Sequence, residues 1–292
     1  MIQRLPVTDQ LALVHDPSRG EGKTAGMAKG LFLCFDDEVY DGESAGFGLP
    51  VWKTARLTFF PSLAAARWLG RNVFEKVYRL DRAVCWKLAG IRTPRFFSAL
   101  LEQIARLYMR QPGHQQALLK VRDTLHKLLR MQSVMRQGSS RGECRVSYEA
   151  GPGKLVISVD GRSLQGSGEL ILLNEAAGLP FSRLRIGPLI LNGDNIPAWR
   201  PCPFSAVLEN PAAGIGFSIS PVCPPFPPDW RLAGGREVGR GLNWAGLELS
   251  AGLQFFSYEV RLFEATQAEN DLQGQPALSA GSRHLEQVGI GE

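Results

Sequence analysis

Cysteine and histidine are scarce and scattered in this sequence. The five cysteines, Cys34, Cys85, Cys144, Cys202 and Cys223, are odd in number, widely separated and never at C-x-x-C spacing. That argues against a disulfide framework and against a structural zinc site. The four histidines, His15, His114, His126 and His284, are scattered, and solvated or capping roles suit them better than metal binding, so neither a metal nor a cofactor is expected. Long apolar runs are missing too: none approaches the roughly 20 residues that cross a bilayer. The first 16 residues lack the basic-then-apolar signature of an export signal. The expectation is a cytoplasmic, reduced, soluble chain without a membrane span. Regular alternation of strand and helix is also absent, which disfavours a doubly wound α/β fold.

What is present is glycine, proline and short apolar alternation. The 292 residues include 32 Gly and 19 Pro, enough to punctuate many short strands. Residues 145–149 alternate with Val146 and Tyr148 on one face. After the Gly151-Pro152-Gly153 turn, residues 155–159 answer with Leu155, Ile157 and Val159. Residues 255–263 put Phe256, Tyr258, Val260 and Leu262 on one face. Residues 11–14, 31–35, 56–60, 170–173, 184–186, 189–191, 204–208 and 215–219 are further strand candidates, and 73–80 with 83–88 reads as a hairpin across Asp81-Arg82. The spacing predicts sheet packed on sheet, a sandwich or open barrel.

Residues 94–136 break the pattern. Thr93 and Pro94 suit a helix start. Phe97, Leu100, Leu101, Ile104, Leu107 and Tyr108 recur at helical spacing, Gln111-Pro112-Gly113 interrupts, and Leu118, Val121, Leu125, Leu128, Gln132 and Met135 form a second stripe. The fold class expected is therefore α+β: mainly antiparallel β with a central helical hairpin. Residues 1–264 are read as one β-rich domain with the insertion at 94–136, and 265–292, which lacks aromatics, as a flexible tail. Charge is uneven. Residues 53–145 hold 19 Lys/Arg against 5 Asp/Glu, and the remainder 14 against 23. Such a basic zone either meets an acidic partner or meets the acidic flanks in the fold.

Several motifs fail on context. Gly22-Lys23-Thr24 resembles a phosphate loop, but Gly26 and Gly30 interrupt the helix that would hold the phosphates. Gly42-Glu43-Ser44-Ala45-Gly46 fits G-x-S-x-G, yet Gly48 and Pro50 prevent the helix that a nucleophile elbow needs. Asp36, Asp37, Glu38, Asp41 and Glu43 form an acidic cluster suited to a cation or to acid–base work, and equally to blunting a sheet edge. Trp52, Trp199, Trp230 and Trp244 lie near Pro or Gly, where aromatic faces stack on sugars or bases.

The candidate ligand-binding stretch is residues 234–246, a glycine-rich run expected to form a binding loop. Arg236, Glu237, Arg240, Asn243 and Trp244 supply two cations, a carboxylate, an amide and a stacking face within nine residues. The expected function is binding of a carbohydrate or another polar or acidic ligand. The alternatives are a carbohydrate-active lyase or hydrolase using carboxylates from 36–43 or Glu237, and nucleic-acid binding through the basic helical pair.

Overall fold

The computed structural model describes residues 3–17, 27–55, 57–88, 91–92, 132–202, 205–222, 229–239 and 242–264. The amino-terminal residues form a four-stranded meander: β1 (Gln3–Pro6), β2 (Leu11–His15), β3 (Phe32–Phe35) and β4 (Glu38–Tyr40). The remaining strands belong to one long sheet. They are β5 (Phe47–Lys53), β6 (Thr58–Trp68), β7 (Val73–Leu88), β8 (Ile91–Arg92), β9 (Gln132–Gln137), β10 (Glu143–Gly151), β11 (Lys154–Asp160) and β12 (Glu169–Ala176). Then come β13 (Arg183–Ile186), β14 (Leu189–Asn192), β15 (Arg200–Cys202), β16 (Ala206–Asn210), β17 (Ile215–Pro221), β18 (Arg231–Gly239), β19 (Leu242–Ser250) and β20 (Phe255–Glu264).

The spatial order runs β14-β13-β16-β17-β20-β11-β10-β7-β6-β5-β12-β19-β18-β15, with β8 and β9 attached to β7. The turning point is β7. Its residues 73–79 pair with β10, and its residues 82–87 pair with β9. Opposite it, β6 shifts register between Phe60 and Pro61 and again between Leu63 and Ala65. Such irregularities bend a strand and increase its twist, and here they fold the sheet over on itself. Phe47 of β5 meets Phe217 of β17 at 4.8 Å, and the Tyr258 hydroxyl of β20 reaches Asn174 of β12 at 2.9 Å.

Period-two alternation decides which side chains fill the space between the two halves. Cys144, Val146, Tyr148 and Ala150 of β10 point inward, as do Leu155, Ile157 and Val159 of β11. In β20, Phe256, Tyr258, Val260 and Leu262 do the same. Each fully buried aliphatic side chain contributes ~1.5–3 kcal/mol. The meander shares this core through Leu5, Leu11, Leu13 and Leu33.

Three expectations are corrected. First, the α+β class gives way to antiparallel β: no α-helix occurs among the described residues. Gln132, Met135 and Arg136, expected on the second helix, lie in β9 paired to β7; residues 93–131 lie outside the described residues. Met135 and Gln132 fit a helical stripe, but residues 132–137 are taken up by the free edge of β7. Pairing overrides local periodicity there. Second, 73–80 and 83–88 form one 16-residue strand. Asp81-Arg82 has no glycine or asparagine to turn a hairpin, and Asp81 is buried, with Ser62 donating to its Oδ1 at 2.8 Å. Third, the glycine-rich stretch 234–246 consists of the ends of two paired strands, β18 and β19, around residues 240–241.

Candidate functional site

The β18–β19 hairpin carries four of the five candidate residues; Arg240 lies outside the described residues. Its register sets Glu237 opposite Trp244 and Val238 opposite Asn243. Glu237 and Trp244 therefore share one face, while Arg236 and Asn243 share the other.

Both faces are covered. On the first, Trp244 is 8% exposed and stacks on Trp199 at 4.7 Å and 23°. A Cβ on Gly235 would lie 1.7 Å from the Ala198 carbonyl oxygen, so glycine lets the 197–199 segment approach. On the second, Arg236 Nε donates to the Gly178 carbonyl at 2.7 Å and its Nη1 pairs with Asp194 at 3.2 Å. Asn243 Oδ1 accepts from the Leu179 amide at 2.7 Å, and its carbonyl accepts from the Glu43 amide at 3.3 Å. Glu237 is engaged as well.

The acidic cluster is divided. Asp36 and Asp37 form the two-residue turn between β3 and β4, with φ of 46° and 65°. Two successive left-handed residues are what such a hairpin turn requires, and aspartate tolerates them better than most residues. Beside them lies the β1–β2 turn, held by the Asp36 amide donating to the Gln10 carbonyl at 3.2 Å. Together these turns line an open cleft of about 470 Å³ with Arg4, Pro6, Thr8, Asp9, Gln10, Asp36 and Asp37. Arg4 Nη1 pairs with Asp37 Oδ1 at 2.5 Å, and both side chains are exposed. Asp41 and Glu43 are drawn elsewhere. The Asp41 carbonyl accepts from the Ser44 amide, and Glu43 is held toward β19.

Ser44 of the G-x-S-x-G segment is fully buried, its hydroxyl donating to the Asp41 carbonyl. That bond has a folding role and leaves the oxygen without access to a substrate. Lys23 lies outside the described residues.

A buried polar row escaped the sequence reading. Lys76 on β7 is 1% exposed, and its Nζ donates to the carbonyls of Lys29 at 2.5 Å and Gly30 at 3.1 Å, with His15 Nδ1 at 3.4 Å. Burial pushes the Lys76 amine down to about 7. His15 is lowered to about 4, first by burial and then by Lys76. Tyr78 donates to the Lys29 carbonyl at 3.1 Å, its hydroxyl 3.2 Å from that of Tyr148. Across the core, Glu175 Oε2 accepts from the Ala45 amide at 2.6 Å, and burial raises its carboxyl to about 7. Lys29 Nζ donates to the Ser44 carbonyl at 2.6 Å, and burial lowers its amine. One signal for Lys76 was present: it occupies the inward position of the alternating run Phe74, Lys76, Tyr78, Leu80.

Among the described residues, no group of three His, Cys, Asp or Glu side chains is placed to hold a metal ion. Cys34, Cys144 and Cys202 are buried. No helix among the described residues is long and apolar enough to cross a membrane.

No family profile and no characterised protein matches this sequence. Among solved structures, an α-mannosidase from Enterococcus faecalis V583 aligns with 91% of this chain at 9% identity and a TM-score of 0.37. The chain spans 30% of that enzyme's length. A likeness this slight carries no argument about activity, which rests on the geometry of this chain.

Proposed function

We propose that this protein binds a polar, hydroxyl-rich ligand, with carbohydrate the leading class, in the cleft between the β1–β2 and β3–β4 turns. The observation that carries this reading is the convergence of Arg4, Thr8, Asp9, Gln10, Asp36 and Asp37 on one open cleft. Carboxylates accept hydrogen bonds from hydroxyls, and the guanidinium and amide groups donate to them. The volume lies within the range of small-ligand sites. Three carboxylates against one guanidinium favour a neutral ligand over an acidic one. Arg236, Asn243 and Trp244 support the fold beside this reading, because a ligand contact there requires breaking the bonds that hold residues 178–179 and the Trp199 stack.

Titration calorimetry against a panel of neutral mono- and oligosaccharides tests the proposal. Asp36→Asn and Gln10→Ala are expected to weaken binding by about tenfold or more each, the loss of roughly one good hydrogen bond. Binding that survives both changes and disappears in Glu237→Gln moves the site to the β18–β19 hairpin. A panel without binding heat overturns the carbohydrate class.

A further inference from the structure

We infer that the Arg4–Asp37 pair recognises two hydroxyls on neighbouring carbons, a narrower ligand class that rests on the reading of the cleft given above. Strand β1 alternates: Leu5 is buried in the core, while Arg4 and Pro6 are exposed and line the cleft. Asp37 reaches Arg4 from the β3–β4 turn, 33 residues away in the chain. The pair therefore joins β1 to that turn within the cleft lining.

Only part of the bonding capacity of each group is used. A guanidinium carries several N–H donors in a rigid fork, and a carboxylate carries two acceptor oxygens. The contact engages Arg4 Nη1 and Asp37 Oδ1, and neither side chain has another hydrogen-bond partner among the described residues. The remaining donors of Arg4 and Oδ2 of Asp37 are left side by side, donor next to acceptor.

Vicinal hydroxyls match that arrangement. In the gauche relation their oxygens are spaced like the two ends of a hydrogen bond, so one accepts from Arg4 while its neighbour donates to Asp37. A lone hydroxyl leaves part of the pair unsatisfied once the ligand has displaced water. Pairing with Asp37 also holds the Arg4 side chain before the ligand arrives, so less rotamer freedom is lost on binding. An anion is disfavoured in the same place: Asp37 neutralises Arg4, and Asp9 and Asp36 line the cleft beside them.

Calorimetry with the methyl glycosides of glucose, galactose and mannose, and with their 3-deoxy and 6-deoxy analogues, tests this. In these probes, removing hydroxyl 3 abolishes every vicinal pair and removing hydroxyl 6 abolishes none. For a glycoside that binds, the 3-deoxy form is expected to bind about tenfold more weakly. Arg4→Lys keeps the charge and loses the fork. It is expected to weaken the complete and 6-deoxy glycosides about tenfold each and to leave the 3-deoxy form unchanged, the coupling expected of groups in direct contact. Asp37→Asn suits the same left-handed turn position and is expected to act likewise. Both side chains are exposed, so the melting curves should stay that of the parent. Equal weakening of all three forms by Arg4→Lys, or none, overturns the inference, and the cleft reading stands if Asp36→Asn still abolishes binding. Absence of binding by every glycoside overturns both.

Discussion

The β18–β19 hairpin and the β1–β4 cleft hold similar inventories of arginine, carboxylate and amide, and use them in opposite ways. In the hairpin the arginine and the amide have partners in their own chain: Arg236 holds Gly178 and Asp194, and Asn243 holds Leu179. In the cleft the side chains sit on β1 and on two turns, and Arg4 with Asp37 forms an exposed ion pair. A dense polar motif is open to a ligand only where no neighbouring segment has already taken its hydrogen bonds.

The largest expected effect that sharpens this contrast is at Trp244. Trp244→Ala empties a buried position and removes the stack on Trp199, so urea unfolding should report a loss of ~3–5 kcal/mol. If the stability is unchanged and sugar binding is lost, the hairpin is the site and the contrast fails.

Next comes a pH effect at Glu175, which is paired with Gly246 across β12 and β19. Its folded carboxyl is raised to about 7 from an ordinary value of 4.5, so the folded state binds the extra proton between those values. The stability this contributes is full below 4.5 and is lost as pH rises through 7. The slope approaches ~1.4 kcal/mol per pH unit. Glu175→Gln keeps an acceptor for the Ala45 amide and should flatten this slope in melts between pH 4.5 and 7. His15 runs the other way. Its folded pKa is depressed to about 4, so its contribution is present above 6.5 and is lost as pH falls through 4. His15→Gln should therefore remove an acid-side loss and leave the Glu175 slope in place.

Arg236→Ala leaves the Gly178 carbonyl without its donor. A loss of ~1.5–3 kcal/mol in chemical denaturation is expected, as for a hydrogen bond involving a charged group. The smallest effect belongs to the cleft. Arg4→Ala should shift stability by no more than ~0.5 kcal/mol, because an exposed ion pair contributes little. A loss at Arg4 as large as that at Arg236 would erase the distinction between the two regions.

Much of the strand pattern was legible. The hairpin of β10 and β11 across Gly151-Pro152-Gly153 and the inward row of β20 follow from period two and from turn chemistry, both properties of adjacent residues. Part of the cleft was legible as well, since Asp36 and Asp37 stood out in the acidic cluster. Their cleft neighbours Arg4, Thr8 and Gln10 did not, because a contact between segments remote in the chain leaves no mark on either segment's sequence.

Local pattern by itself determined that this chain alternates, turns often and lacks the spacing of metal and disulfide scaffolds. Tertiary structure decided the rest. Asp81 stays inside a continuous strand because Ser62 satisfies it, and β9 is a strand because β7 has an edge to offer. Gly235 belongs to a strand because Ala198 approaches where a side chain would stand. Lys76 can occupy a core position because the carbonyls of Lys29 and Gly30 meet its amine. In each case the deciding partner is remote in the chain. The free energy of a buried polar group or a bare glycine depends on that partner, and the surrounding residues in the sequence do not identify it.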